Sequence, residues 1–127
     1  IPSVGFAIGM ERFIQVLGAL GKLPLEKKAD IFVVSPEPSN FMDNLKIINS
    51  LRKEGFSVEY DLACKSIRSQ FKMAEKCNAY LALIRGNEEI KQGKIKLKNL
   101  SERTEIEINE ADLLEKIKLL FKNMNTV

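Results

Sequence analysis

The chain has 127 residues, of which 45% are hydrophobic and 29% are charged, and its formal net charge is +3. This length and composition predict one globular domain with its own core, and they exclude a disordered chain, a fibrous chain and a second full domain. Histidine is absent, and Cys64 and Cys77 show no CxxC spacing, so we expect no metal site, no disulfide and no catalytic histidine.

The start of the chain has no signal pattern, and no apolar run is long enough to span a membrane. We therefore expect a cytoplasmic location and no membrane partner. The first residue is Ile1 rather than Met, and the residues after it look like the middle of a strand. This pattern indicates a piece of a longer protein.

The first 21 residues predict a strand followed by a helix. Residues 4–9 form an apolar run broken by Gly5 and Gly9, which suits a strand that passes close to a ligand or to another strand. Apolar residues then recur at helical spacing: Met10, Phe13, Ile14 and Leu17. Residues 22–29 combine a proline with mixed charges, as linkers do. We therefore divide the chain at 1–21, 22–29 and 30–127.

Residues 30–60 predict a strand, a helix and a second strand. The β-rich run 30–35 stops at Pro36, and the helix that follows has an apolar stripe made of Phe41, Leu45, Ile48 and Leu51. Gly55 is placed to end this helix in the left-handed conformation. Residues 56–60 alternate between apolar and polar, so the order predicts a right-handed crossover between two parallel strands.

Residues 65–100 predict a helix, a buried strand, a turn and a half-exposed strand. The helix carries a basic stripe and an apolar stripe, namely Lys65, Arg68, Lys72 and Lys76 against Ile67, Phe71, Ala74 and Cys77. The apolar run 79–84 is the best candidate for the centre of the sheet. Glycines bound a predicted turn at 86–93, and the strand after it exposes lysines on one face.

The last part of the chain predicts a reversed strand pair and a final helix. Residues 94–100 and 105–108 form a meander, and the helix from Asn109 onward buries one apolar face. The sum is an α/β fold: a three-layer domain whose five-stranded mixed sheet, with one strand antiparallel, is flanked by helices. A strand-helix unit precedes it.

The positive charge of the chain is concentrated in residues 65–98. This stretch has nine Lys or Arg residues against three Glu, a net charge of +6, whereas the residues on either side of it are net negative. A patch of this kind is typical of a nucleic-acid contact surface. An ordinary solvated helix face with a lysine-bearing strand gives the same pattern, so the residues alone leave both readings open.

Several segments resemble a known family. Residues 5–12 resemble motif 3 of class II aminoacyl-tRNA synthetases, although Ala7 stands where glycine is commoner. Residues 30–38, 65–72 and 86–100 are similar to the anticodon-binding domain of the histidyl-tRNA synthetase family. By this resemblance residues 1–21 are the C-terminal end of the catalytic domain, 22–29 are a linker, and 30–127 are the anticodon-binding domain.

The resemblance implies a histidine-tRNA ligase that uses ATP with magnesium, forms histidyl-adenylate, and then transfers the histidyl group to tRNA(His). The intact enzyme of this family is a homodimer. Arg12 would be the motif 3 arginine that contacts ATP as a catalytic residue, and Gly9 would lie close under the nucleotide. Motifs 1 and 2 are missing from these residues, so we expect this chain alone to bind ATP negligibly and to form no adenylate.

The resemblance also implies an RNA site. Lys65, Arg68 and Lys72 would contact phosphates or bases of the anticodon loop, and Glu89 would read a base. Two alternatives remain. One is a regulatory paralogue of the synthetase that takes part in histidine biosynthesis and reads no tRNA, and the other is an interaction module whose basic face binds an acidic protein.

Overall fold

The structure is a computed structural model, and it describes residues 1–23 and 28–124. Within these residues the elements are α1 (Met10–Ala19), β1 (Ile31–Val34), α2 (Phe41–Lys53), β2 (Val58–Tyr60), α3 (Ile67–Lys76), β3 (Leu81–Ile84), α4 (Asn87–Gln92), β4 (Lys94–Asn99), β5 (Glu105–Asn109) and α5 (Leu113–Met124). Short 3-10 turns at Pro38–Asn40 and Glu110–Asp112 precede α2 and α5.

The five described strands form one mixed sheet in the order β2-β1-β3-β4-β5. β1 pairs in parallel with both β2 and β3, whereas β4 pairs antiparallel with both β3 and β5. β4 is therefore the one described strand that runs against the others, and β3 lies at the centre. The predicted α/β fold and its meander are confirmed.

Helices cover both faces of the sheet, and β1 and β3 are therefore buried on both sides. Alternate residues of β1, Ile31 and Val33, face the core that α2 and α5 complete with Leu51 and Ile117. The residues between them, including Phe32, face the second core, which α3 completes through Ala74. Burying one Leu, Ile or Phe side chain stabilises by about 1.5–3 kcal/mol, so both layers contribute to the fold.

The sequence predicts a turn at residues 86–93, and this prediction is wrong for residues 87–92, which form the helix α4. Gly86 and Gly93 stand at its two ends as the prediction required, and Gly93 ends the helix in the left-handed conformation at φ 65°. The carboxylates Glu88 and Glu89 lie in the first turn, where they complement the helix dipole. Six residues are too few to show helical periodicity in the sequence.

The N-terminal unit is confirmed in its helix but not in its strand. Residues 1–9 form neither helix nor strand, because no strand among the described residues offers them backbone hydrogen bonds. No residue of α1 is buried. Phe13 within the helix and Phe6 before it are both exposed. Among the described residues, α1 therefore buries no apolar face against the domain.

The three-part division of the chain stays a prediction. Residues 24–27, the middle of the predicted linker, lie outside the described residues, as do residues 125–127 at the end of the predicted domain. Ala29, assigned to the linker, is buried, and its backbone N–H donates to the carbonyl of Cys77 at 3.2 Å. The packed unit thus includes at least this last residue of the predicted linker.

Candidate nucleic-acid interface

The candidate interface lies where β1 and β3 end. These two strands are parallel neighbours, but α2 connects β1 to β2 on one face and α3 connects β2 to β3 on the other. Open α/β sheets bind ligands at the carboxyl edge where crossovers diverge in this way. The loops at this edge touch, since a β-carbon on Gly86 would lie 3.1 Å from a side-chain carbon of Pro36. We call residues 35–37 and 85–87 the edge loops.

Gln70 fastens the start of α3 to the end of β1. Its side chain is 1% exposed, and its Oε1 accepts a hydrogen bond from the Ser35 N–H at 2.9 Å. Its Nε2 donates to the Ser35 carbonyl at 2.9 Å and to the Lys65 carbonyl at 2.6 Å. The backbone at Lys65 is therefore held beside the edge loops.

The loop before α3 is ordered by two local caps. Asp61 is buried, and its carboxylate accepts from the backbone N–H of Ala63 at 3.0 Å and of Lys65 at 2.8 Å. Ser66 is the N-cap of α3, and its hydroxyl accepts from the Ser69 N–H at 3.3 Å. These bonds fix where the basic stripe begins.

The three cations predicted to contact RNA form what we call the cation row: Lys65 directly precedes the N-cap of α3, and Arg68 and Lys72 lie on the helix. Lys65, Arg68 and Lys72 are all exposed, and none forms an ion pair with an acid in the described part of the chain. Arg68 and Lys72 are one helical turn apart on the side of α3 opposite to the buried Gln70 and Ala74. The row therefore runs along α3 away from the edge loops and is available to an outside anion.

The lysines of β4 differ, because each has a partner inside the domain. The contacts are Lys94 Nζ to Glu107 Oε1 at 2.7 Å, Lys96 Nζ to Glu89 Oε1 at 3.0 Å, and Lys98 Nζ at 5.1 Å from the centroid of the Phe71 ring. The register also sets Lys96 opposite Glu107 and Lys98 opposite Glu105 on β5. The basic face predicted for this strand is thus largely neutralised.

Glu89 is engaged through both carboxylate oxygens. Besides the contact with Lys96, its Oε2 accepts from the backbone N–H of Gly86 at 2.9 Å. Burial acts to raise the pKa of the Glu89 carboxyl, but the hydrogen bonds from Lys96 and from backbone N–H groups outweigh it, so its pKa lies below the usual value. Its base-reading role stays a prediction, and that role would require Glu89 to give up one of these contacts.

A buried polar network braces the edge loops from the other face of the sheet. Asn44 Nδ2 donates to Ser35 Oγ at 2.8 Å and to the Arg85 carbonyl at 3.1 Å. Arg85 is 7% exposed; it donates to Asn44 Oδ1 at 3.3 Å and to Glu110 Oε2 at 2.9 Å, while its Nε has no hydrogen-bond partner among the described residues. Buried, bonded loops of this kind present a preformed surface to a ligand.

Glu37 is an edge-loop carboxylate that the sequence reasoning did not select. Its Oε2 accepts from Asn40 Nδ2 and from the Asn87 N–H, the latter at 3.3 Å. Two signals could have found it: an acid three residues after the end of a buried strand, and the position of that strand beside the predicted centre of the sheet. Gln70 was missed as well, although helical spacing places it only one turn from Ala74 in the apolar stripe.

Gly9 and Arg12 lie close together at the start of α1, and both are exposed. A β-carbon on Gly9 would meet no atom of another described residue within 4 Å. The contact of Gly9 and Arg12 with ATP stays a prediction for a longer chain.

Residues 1–23 and 28–124 contain no group of three or more His, Cys, Asp or Glu side chains that could hold a metal ion. No helix in this part of the chain is long and apolar enough to cross a membrane.

Comparison with known proteins relates this geometry to a family. The family model for the anticodon binding domain matches residues 28–120. The chain is 37% identical over 121 residues to the histidine–tRNA ligase of Acetivibrio thermocellus, which covers 93% of this chain and 28% of that protein.

Two solved structures are similar to the fold. Histidyl-tRNA synthetase from Nostoc sp. PCC 7120 matches with a TM-score of 0.70 and 30% identity, over 90% of this chain and 28% of that one. The apo histidyl-tRNA synthetase of S. aureus matches with a TM-score of 0.69 and 27% identity, over 86% of this chain and 28% of that one. The chain thus spans 28% of the length of these relatives.

The resemblance drawn from residues 30–38, 65–72 and 86–100 is confirmed by these matches, since the family model covers all three segments. The curated relatives and the two solved structures carry the same enzyme name. The chain therefore belongs to the anticodon binding domain family and corresponds to a part of histidyl-tRNA synthetases.

Proposed function

We propose that this chain holds the anticodon loop of tRNA(His) for a histidine–tRNA ligase. The observation that carries the proposal is the row of unpaired cations, Lys65, Arg68 and Lys72, on a helix whose start is fastened to the edge loops. Lys and Arg side chains bind phosphates, and sequence-specific RNA recognition mostly targets unpaired loops whose bases can be splayed onto a protein surface.

In this proposal the RNA backbone follows the cation row and the unpaired bases turn toward the edge loops. The row supplies attraction that does not depend on sequence, because each phosphate contact releases condensed counterions. The edge loops supply the sequence-dependent part, since hydrogen-bonding groups of Glu37 and of the backbone lie there. The bracing by Gln70 and Asn44 keeps the two parts in a fixed relation.

The whole enzyme would carry out the reaction that its relatives' names describe. It would use ATP, with magnesium, to convert histidine into histidyl-adenylate with release of pyrophosphate, and would then pass the histidyl group to the 3′ end of tRNA(His) with release of AMP. We also propose that the whole enzyme is a homodimer in the cytoplasm. In that enzyme Gly9 and Arg12 would contact ATP. We expect this chain alone to form no adenylate, because its residues resemble motif 3 but include no counterpart of motifs 1 and 2.

Filter binding tests the proposal with the 127-residue chain. We expect tRNA(His) to bind about tenfold or more tighter than a tRNA that carries another anticodon, because one mismatched recognition contact costs about 1–3 kcal/mol. A second tRNA(His) with only its anticodon replaced serves as the matched control, and it should lose the same affinity.

Two results would contradict the proposal. Equal affinity for all three RNAs would mean that binding does not depend on the anticodon. Absence of RNA binding, even at low salt, would favour the regulatory paralogue or the interaction module. The names of the curated relatives favour the ligase over the paralogue, since the chain matches proteins that are called histidine–tRNA ligases.

A further inference from the structure

Glu37 is anchored through one carboxylate oxygen and presents the other. Its Oε2 accepts hydrogen bonds from Asn40 Nδ2, three residues further along the same segment, and from the N–H of Asn87 in the other edge loop. Its Oε1 makes no hydrogen bond or ion pair with any residue that the structure describes. The residue is half-buried, so the carboxylate is fixed in direction but reachable from solvent.

Glu89, in contrast, has no carboxylate oxygen left without a partner. Its Oε1 is held by Lys96 and its Oε2 by the Gly86 N–H. A base that used Glu89 would have to break one of these contacts, whereas a base that used Glu37 would break none. Of the two carboxylates at the edge loops, Glu37 is therefore the better placed to accept a hydrogen bond from RNA.

We propose that Glu37 reads an unpaired guanine of the bound loop through Oε1. This inference rests on the proposed function. The Watson–Crick edge of guanine sets two donors side by side, N1–H and the N2 amino group. Uracil flanks its one N–H donor with two carbonyl acceptors, and adenine and cytosine each place an acceptor nitrogen beside the amino group. A carboxylate fixed in direction therefore favours guanine over the other three bases.

The carboxylates of Glu37 and Glu89 also affect where the phosphates of the RNA backbone can bind. A β-carbon on Gly86 would lie 3.0 Å from Glu89 Oε2 and 3.1 Å from Glu37 Oε2, so two carboxylates meet over this residue. A phosphate at that position would be repelled by Glu37, which forms no ion pair among the described residues, whereas Lys96 offsets the charge of Glu89. The RNA backbone is thus directed to the cation row, and a base rather than a phosphate faces the edge loops.

Binding of a synthetic anticodon stem-loop of tRNA(His) tests this assignment. Each unpaired guanine is replaced in turn by inosine, which lacks the N2 amino group but keeps N1–H. For the wild-type chain we expect inosine to weaken binding about tenfold at one position, the typical effect of losing one hydrogen bond to a charged group. In Glu37→Gln the guanine-to-inosine ratio should fall to about twofold or less at that position.

Two further variants complete the design. Glu37→Asp keeps the charge but withdraws the carboxylate, and it should also lose the ratio; if either variant fails to fold, the other decides. Glu88→Gln removes an exposed acid of α4 that forms no ion pair, and it should keep the full tenfold ratio.

The outcomes separate this assignment from the proposed function. An unchanged ratio in folded Glu37→Gln or Glu37→Asp overturns the assignment and leaves the proposed function standing. The same holds if the wild-type chain binds the stem-loop but distinguishes guanine from inosine nowhere. If the wild-type chain does not bind the stem-loop at all, the proposed function fails and the assignment fails with it.

Discussion

Replacing Gln70 with alanine should lower the free energy of unfolding by about 3 kcal/mol. The side chain is 1% exposed and makes three hydrogen bonds to backbone groups, two at Ser35 and one at Lys65. Its removal leaves those buried groups without partners, at about 1–3 kcal/mol for each group that water cannot reach. Urea-induced unfolding followed by circular dichroism measures the loss.

Gln92 supplies the matched control for this substitution. It is an exposed glutamine at the end of α4, and Gln92→Ala should change stability by no more than about 0.5 kcal/mol. A loss below about 1 kcal/mol in Gln70→Ala would mean that the bonds to Ser35 and Lys65 do not fasten α3 to β1. Gln70→Glu is a second check, because a carboxylate cannot donate to the two carbonyls and should be at least as destabilising.

The combined change Lys65→Ala, Arg68→Ala and Lys72→Ala should weaken binding of tRNA(His) about 100-fold at about 0.1 M salt. Each phosphate contact to a single strand contributes about 0.7 to the slope of log affinity against log salt, so the slope should flatten by about 2. The fold should survive, since all three side chains are exposed and none forms an ion pair with a described acid. Filter binding across a salt series measures both quantities.

A triple variant on the other face of the sheet controls for net charge. Lys46, Lys53 and Lys118 are exposed residues of α2 and α5, and their replacement by alanine removes the same charge far from α3. We expect this variant to keep the wild-type slope. If the slope of log affinity against log salt is equal in the two triple variants, Lys65, Arg68 and Lys72 are ordinary solvated surface residues and not phosphate contacts.

The sheet and its layers could be predicted because their signals are local. The run 79–84 is apolar without alternation, as a strand buried on both faces must be, and it became the central strand β3. The strict alternation of Ile95 and Leu97 with lysines fixed the faces of β4. The strand at residues 4–9 failed for the opposite reason, because strand structure needs a partner and its apolar pattern does not supply one.

The candidate site was predicted only in part. The basic stripe on α3 follows from helical spacing, and the structure exposes Lys65, Arg68 and Lys72 as expected. Charge counting could not reveal that the lysines of β4 are neutralised, because that depends on the register with Glu105 and Glu107 across the sheet. Glu37, Gln70 and Asn44 escaped notice because their importance comes from long-range contacts between sequence segments that no local pattern joins.

The central claim is that RNA is held along α3 and against the edge loops. Its most direct test is a titration of the isotopically labelled chain with the anticodon stem-loop of tRNA(His), followed by the NMR shifts of the backbone amides. We predict the largest changes at residues 65–72 and at Ser35, Glu37, Gly86 and Asn87, with little change along α2 and α5. Changes concentrated on α2 and α5, or spread evenly over the sheet, would contradict the account.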